Sequence, residues 1–193
     1  MIANEAVTFR QRRMKMTANE QIQEMNFQEY QRLLQDSQYE EVQFDEKSGG
    51  VSAIHKEHKF DKQLGNFGVR RGVYELLAMD TLREQGHVVI LESEQAPNGV
   101  KTPDGYIDGE SMDIKAVENI GQWTIKNKFH NATKQGVETL ILYFHLGAIY
   151  SADTIEDGWN KYIKDIDSLR YERTIKKVLC IVEGEEIQWV PSK

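Results

Sequence analysis

Three charged side chains in one short stretch of this sequence have the types and spacing that hydrolytic chemistry requires. Residues 102–116 read TPDGYIDGESMDIKA, and the dipeptide Asp108-Gly109 is typical of a two-residue hairpin turn. With the turn at that dipeptide, Asp104 faces Asp113 across an antiparallel pair, where opposed Cβ atoms are ~4.5–5.5 Å apart. Because side chains alternate along a strand, Lys115 shares their face. The spacing therefore predicts two carboxylates and one ammonium gathered on one side of a hairpin.

The two opposed carboxylates repel each other, so a cation is needed to offset their charge. Lys115 is one candidate, and a divalent cation with oxygen ligands, Mg²⁺ or Mn²⁺, is the other. A lysine beside such a metal can orient or help deprotonate an attacking water, while the metal stabilises charge on a phosphoryl oxygen. The hairpin alone leaves an alternative open, in which a solvent-facing Asp and a structural salt bridge have no catalytic role.

The segments that must position these residues alternate between helix and strand patterns after residue 50. One helix is predicted over 68–85, with its buried side formed by Val69, Val73, Leu76, Leu77 and Leu82. The other predicted segments are strands at 87–91, 106–107 and 112–116, a helix at 120–136, a strand at 139–145, a helix at 155–173, and a closing hairpin of 177–182 and 186–190. This order indicates an α/β fold with a mixed β-sheet flanked by helices.

The first 50 residues differ in composition from the rest and contain no Pro, Trp or Cys. The apolar spacing within 19–38 predicts a helix with few apolar anchors. We therefore expect a polar, largely helical or mobile N-terminal extension over residues 1–50, followed by one α/β domain over residues 51–193.

Charge and composition exclude several classes of protein. The formal net charge of −7 argues against binding nucleic acid through bulk positive charge, although a local basic face remains compatible with it. A single cysteine excludes an intramolecular disulfide framework and a cysteine-based zinc cluster. No apolar run approaches the ~20 residues of a membrane span, and no signal-peptide core is visible. We expect a soluble protein that does not insert into membranes, whose oligomeric state the sequence leaves open.

A local basic face is predicted on the helix after the hairpin. No carboxylate lies between Asn119 and Val137, and Lys126, His130 and Lys134 recur at i, i+4 and i+8. Such a stripe beside an acidic metal site suits a phosphodiester substrate, and we predict that it contacts nucleic acid. An ordinary solvated helix face is the alternative.

Pro103-Asp104, followed by Asp113-Ile114-Lys115, resembles the motif of the PD-(D/E)XK nuclease superfamily. The preceding predicted helix supplies Glu75 where that fold places an upstream acidic residue, and helix, three strands, helix, strand is the superfamily's core order. The resemblance implies a restriction-endonuclease-like core in which Glu75, Asp104, Asp113 and Lys115 are catalytic. Taken alone, Glu75 is equally compatible with a solvent-facing position paired with Arg71, its i−4 neighbour.

A narrower resemblance, over about residues 49–190, is to the C-terminal nuclease domain of contact-dependent growth-inhibition and other polymorphic toxins, with related domains in phage and mobile-element proteins. It rests on GGVSAIHKEHKFDK at 49–62, the Glu75 helix and KTPDGYIDGESMDIKA at 101–116. It implies a metal-dependent endonuclease that cleaves RNA such as tRNA in the cytoplasm, delivered as a toxin or encoded by a mobile element, with a cognate immunity protein. Asp104 and Asp113 would be metal ligands and Lys115 the base that orients water. A DNA endonuclease, or a non-catalytic phage or mobile-element module that keeps the fold, are the alternatives.

Overall fold

The computed structural model describes residues 16–93, 102–145, 147–169 and 172–190. The helices are α1 (Ala18–Gln35), α2 (Gly72–Glu84), α3 (Gln122–Gln135) and α4 (Ala152–Leu169). The strands are β1 (Tyr39–Phe44), β2 (Val51–His55), β3 (Val88–Leu91), β4 (Gly105–Ile107), β5 (Glu110–Val117), β6 (Thr139–Phe144), β7 (Lys177–Val182) and β8 (Glu185–Trp189). The α/β class and every element predicted after residue 67 are confirmed, with end positions that differ by a few residues.

The eight strands form one mixed sheet in the order in which they occur along the chain, from β1 to β8. The pairs β2–β3, β5–β6 and β6–β7 are parallel, and the other four pairs are antiparallel. Helix α3 connects β5 to β6 and helix α4 connects β6 to β7, as crossovers between parallel neighbours require. The central strands are buried on both sides, and the sheet is flanked by helices on both faces.

Alternate residues of β6 and β7 belong to two different cores, one on each face of the sheet. Helix α2 covers one face through a cluster that includes Ile141 and Leu179. Helices α3 and α4 cover the other through a cluster that includes Leu140, Leu142 and Cys180. This two-sided cover explains why β6 reads as a continuous apolar run and does not alternate.

Two strands before α2 have no counterpart in the sequence prediction. Strands β1 and β2 pair antiparallel, and α1 packs on them through Leu33, which is fully buried with Val51 and Ala53. A capping box at Thr17 starts α1, as its reciprocal hydrogen bonds with Glu20 show. The predicted boundary between residues 50 and 51 thus lies at the start of β2, and a division there would separate two strands paired in one sheet.

The buried face of α2 differs from the predicted one. Leu82 is buried as expected, but the Val73 and Leu77 side chains are 39% and 42% exposed. Their places are taken by Tyr74 and Ala78, which are buried together with Met79. The buried stripe therefore lies on a different side of the helix from the predicted one, and the two share Leu82.

A histidine joins the turn of the β4–β5 hairpin to the last strand. His87 Nδ1 lies 2.6 Å from Asp108 Oδ2, and its Nε2 lies 2.8 Å from Glu186 Oε2. Hydrogen bonds to Asp108, and to a smaller extent to Glu186, raise the pKa of His87 to about 9. The charged imidazole therefore ties the turn below β4 to β8. Within the described ranges, no helix combines the length and the apolar character that crossing a membrane requires.

Candidate active site

The β4–β5 hairpin has the predicted turn and the predicted register. Asp108 and Gly109 have φ angles of 51° and 83°, the left-handed values that a type I′ turn needs at both central positions. Gly105 pairs with Met112, Tyr106 with Ser111, and Ile107 with Glu110. The buried side chains of Ile107 and Met112 pack under α2. Burial of this apolar set fixes the register, since a slip of one residue would turn it to the other face.

The register places the two aspartates side by side at the end of β4. The Asp104 backbone N–H donates to the Met112 carbonyl at 3.0 Å, and Asp104 Oδ2 accepts the Ile114 N–H at 2.8 Å. Lys115 Nζ forms an ion pair with Asp113 Oδ1 and lies 3.9 Å from Asp104 Oδ2. The Asp113 side chain is fully buried and that of Lys115 is one-quarter exposed. The predicted cluster of two carboxylates and one ammonium is therefore present.

Burial determines the protonation chemistry of this cluster. Loss of hydration, and then the neighbouring Asp104 carboxylate, raise the pKa of Asp113 to about 8. Burial alone would lower the pKa of Lys115, but the carboxylates of Asp104 and Asp113 outweigh it and raise that pKa. Lys115 thus stays an ammonium near neutral pH, and in this state it donates hydrogen bonds and does not accept a proton.

The cluster opens onto a polar cleft of about 730 Å³. One wall is formed by α2 and the other by α3, and Asp104 and Lys115 lie between them. The remaining lining residues are mostly polar: Asp61, Asn66, Arg71, Tyr74, Glu75, Thr102, Ile114, Ala116, Glu118, Asn119, Thr124, Lys128, Asn131 and Gln135. Glu118 ties the loop before α2 to this wall, since its Oε1 accepts the Asn66 N–H at 3.0 Å. A cleft of this size and polarity suits a charged, extended ligand.

Glu75 lines the cleft and is held there by a histidine that the sequence did not single out. His58 Nε2 is 3.1 Å from Glu75 Oε2, and His58 Nδ1 is 2.7 Å from the Glu92 carbonyl oxygen. A carbonyl only accepts, so Nδ1 carries a proton and Nε2 must share one proton with the Glu75 carboxylate. The His58 side chain is fully buried. The pair is therefore a fixed, hydrogen-bonded dyad at the cleft wall.

The aspartate pair has a donor set that fits a divalent cation. Asp113 Oδ2 is buried and has no hydrogen-bond partner among the described residues. Mg²⁺ binds through one or two carboxylates and completes its octahedron with water and substrate oxygens. The same part of the chain contains no group of three or more His, Cys, Asp or Glu side chains arranged around a common point. Asp104 and Asp113 are thus the residues that would hold a metal, as a two-carboxylate site.

The predicted basic stripe of α3 does not line the cleft. Lys126 and His130 both contact Asp165 of α4, His130 at 3.1 Å, and Lys134 is exposed. The cleft side of α3 is formed by Thr124, Lys128, Asn131 and Gln135. At 100° per residue this second stripe lies roughly 120° around the helix from the first.

Lys128 is the cationic cleft residue that sequence reasoning missed. Its Nζ donates to the Ala116 carbonyl of β5, and burial, followed by the nearby charges of Lys115 and Arg71, lowers its pKa to about 8. The sequence does contain a pattern that indicates this face: Thr124, Lys128, Asn131 and Gln135 recur at intervals of four, three and four residues. Two of them directly precede Ile125 and Phe129, which are buried.

Comparisons with known proteins give little. No family model matches the chain, and no curated protein matches it. Among solved structures, it is similar to a chain of the CdiA-CT/CdiI toxin and immunity complex from Burkholderia pseudomallei, at 19% sequence identity and a TM-score of 0.46. That match covers 72% of this chain and 99% of the other. A likeness at this level assigns neither a family nor an activity.

Proposed function

We propose that the protein is a metal-dependent endonuclease that hydrolyses phosphodiester bonds of nucleic acid. The observation that carries this proposal is the buried Asp104–Asp113 pair with Lys115, since Asp104 and Lys115 line a polar cleft and Asp113 lies directly behind them. A pair of adjacent carboxylates, one fully buried, is costly for folding, and no packing role requires it. The same pair is suited to holding a divalent cation at a site that a phosphate can reach.

Five residues of the site have a role in such a reaction. A divalent cation held by Asp104 and Asp113 would stabilise negative charge on the phosphoryl oxygens and make water more acidic. Lys115, as an ammonium, orients the attacking water or a phosphoryl oxygen by donating hydrogen bonds. Lys128 neutralises charge on the bound phosphate, which would restore the proton that burial disfavours. Glu75 exchanges the proton that it shares with His58.

RNA, and in particular tRNA, is the substrate implied by the resemblance of the 49–190 region to polymorphic-toxin nucleases. The same resemblance implies a toxin with an immunity protein that blocks the cleft, and action in the cytoplasm of the target cell. These three statements rest on sequence motifs, whereas the hydrolytic chemistry rests on the geometry of the cleft.

Incubation of the purified chain with total RNA and with plasmid DNA tests the proposal. Each substrate is combined with Mg²⁺ or Mn²⁺ in one arm and with a chelator in the other. We expect cleavage of RNA only with metal, and none by Asp113→Asn. The matched control is Asp153→Asn, which makes the same chemical change at an exposed residue in the first turn of α4.

Two observations favour a second candidate, a non-catalytic module. Lys115 already forms an ion pair with Asp113, and no three-ligand cluster exists among the described residues. If wild type cleaves neither substrate in any arm while remaining folded, this alternative replaces the endonuclease. Cleavage that persists in chelator or in Asp113→Asn would contradict the proposed site.

A further inference from the structure

An exposed tryptophan with two lysines over its ring lies just beyond the end of the cleft. The Trp123 side chain, in the first turn of α3, is 59% exposed, whereas Trp159 and Trp189 are 2% and 7% exposed. Lys126 Nζ lies 5.1 Å and Lys161 Nζ 5.2 Å from the centre of the Trp123 ring. Leaving an indole in water costs solvation energy, and packing in the core does not explain this position.

The concavity around Trp123 continues the cleft. It is shallow and lined by Ile120, Gly121, Gln122, Trp123, Thr124, Thr154 and Asp157. Thr124 also lines the cleft, and Asn119 of the cleft immediately precedes Ile120. The two depressions therefore share a wall at the start of α3.

The cleft runs along α3 from the aspartate pair towards Trp123. Gln135 Nε2 donates to the Thr102 carbonyl at 3.0 Å, which places the segment that leads through Asp104 into β4 beside the C-terminal end of α3. Lys128 contacts Ala116 further along, and Thr124 marks the N-terminal end. From Gln135 to Thr124 the helix rises ~17 Å. At ~3.4 Å per stacked nucleotide, this length spans about five nucleotides at most.

We propose that Trp123 stacks on an unpaired base of the substrate, within about five nucleotides of the scissile phosphate. This inference rests on the proposed nuclease function and names its substrate class as single-stranded. Stacking on the indole requires a base with a free face, which bases inside a duplex lack. Lys126 also contacts Asp165, so we assign the neighbouring phosphate to Lys161. Asp157, the carboxylate in the concavity, can accept hydrogen bonds from an amino group on the base edge.

The position of the three tryptophans allows a binding assay that needs no catalysis. With Trp159 and Trp189 buried, acrylamide quenching of the intrinsic fluorescence reports mainly on Trp123. The protein is the Asp113→Asn variant in Mg²⁺, and separately wild type in chelator, so that substrate stays intact. The probes are a single-stranded RNA of about ten nucleotides, the same sequence as a duplex, and a dinucleotide.

We expect the single strand, but neither the duplex nor the dinucleotide, to protect Trp123 from acrylamide. Fluorescence anisotropy of the labelled single strand measures the variants that lack this indole: Trp123→Ala should weaken binding about 5- to 140-fold, while Trp123→Phe keeps most of the affinity. Lys161→Gln should reduce the slope of log affinity against log salt by ~0.7. The matched control is Leu34→Ala, an exposed apolar residue on α1, which should change nothing.

The outcomes separate this inference from the proposed function. If wild type cleaves nucleic acid and Trp123→Ala binds the single strand as tightly as wild type, only the stacking role is wrong. Equal protection by the duplex would overturn the assignment to unpaired nucleotides. If a single strand protects Trp123 from acrylamide but the protein cleaves no nucleic acid, the binding site stands and the endonuclease does not. Absence of binding to every probe overturns the stacking role, whereas the endonuclease is decided by the cleavage of total RNA and plasmid DNA.

Discussion

Replacing Asp113 by Asn tests the central geometric argument, because it removes one charge from the aspartate pair and almost no volume. In wild type, the buried Asp113 carboxyl adjoins Asp104 and contacts Lys115, but burial and the Asp104 charge outweigh this contact and raise its pKa to about 8. In the variant, Lys115 still has the Asp104 carboxylate as an ion-pair partner at 3.9 Å, and the repulsion between the two carboxylates is gone. We therefore expect metal-free Asp113→Asn to be at least as stable as metal-free wild type near neutral pH.

The pH dependence of this difference follows from the raised pKa of Asp113, about 8 in the folded protein against ~3.9 in the unfolded chain. Between these values the folded state holds a proton that the unfolded state has lost. Wild type therefore loses ~1.4 kcal/mol of stability per pH unit from this group as pH rises, and the cost is absent below the unfolded pKa. The advantage of Asp113→Asn should grow from about pH 4 to about pH 8 and then level off.

Metal should reverse the ranking. At ~100 times its dissociation constant, a cation that binds only the folded state adds ~2.7 kcal/mol. For a domain of this size ~1 kcal/mol shifts Tm by ~2–4 °C, so wild type should gain roughly 5–11 °C. Asp113→Asn should gain little and lose cleavage. Lys115→Ala should keep the metal-induced shift, since it retains both carboxylates, while its cleavage falls.

Thermal unfolding of the three proteins, in Mg²⁺ or Mn²⁺ and in chelator at several pH values, measures these differences. If wild type gains no more from metal than Asp113→Asn does, Asp104 and Asp113 do not share a cation. If the stability difference between wild type and Asp113→Asn in chelator does not change with pH, the buried carboxylate is not the source of the cost.

Three further predictions concern the surroundings of the pair. His58→Phe should leave substrate affinity nearly unchanged but lower the cleavage rate and alter its pH profile, because Glu75 loses the group with which it shares a proton. Michaelis kinetics at several pH values measure both effects, and a change in KM alone would contradict this role. Lys128→Gln should weaken nucleic-acid binding and lower the slope of log affinity against log salt by ~0.7–0.9. Lys134→Gln, the control outside the cleft, should change this slope less, and equal slopes for the two variants in salt titrations would mean that the cleft does not determine binding. His87→Gln should destabilise the protein most below about pH 6.5, and the loss of stability should vanish as pH rises past about 9. The reason is that the raised pKa of His87 makes its charged form the stabilising one. Denaturant unfolding at both pH values measures this difference.

Local pattern was sufficient to predict the hairpin and the order of the elements after residue 67. Asp108-Gly109 specifies a turn through its backbone preferences, and alternation then assigns every side chain of β4 and β5 to a face. Asp104, Asp113 and Lys115 come together for this reason, which involves only residues 102–116. Strands β1 and β2 escaped prediction because neither forms a recognisable pattern by itself. Their pairing is antiparallel with an irregular register in β1, and β2 is buried on both faces, under α1 through Val51 and Ala53 and under α2 through Ile54.

Only the tertiary structure decided which side chains share the cleft, because helix faces are chosen by packing against the sheet. On α3, two polar stripes at helical spacing were available, and the burial of Ile125 and Phe129 turned Lys128 inward and left Lys126 beside Trp123 and Asp165. On α2, burial of Tyr74 and Ala78 rotated Glu75 to the cleft wall, where His58 meets it from a loop 17 residues earlier. The sequence by itself determined the hairpin chemistry, since that depends on neighbours along two adjoining strands. The extent of the cleft and its second dyad depend on contacts between distant segments, which no local spacing encodes.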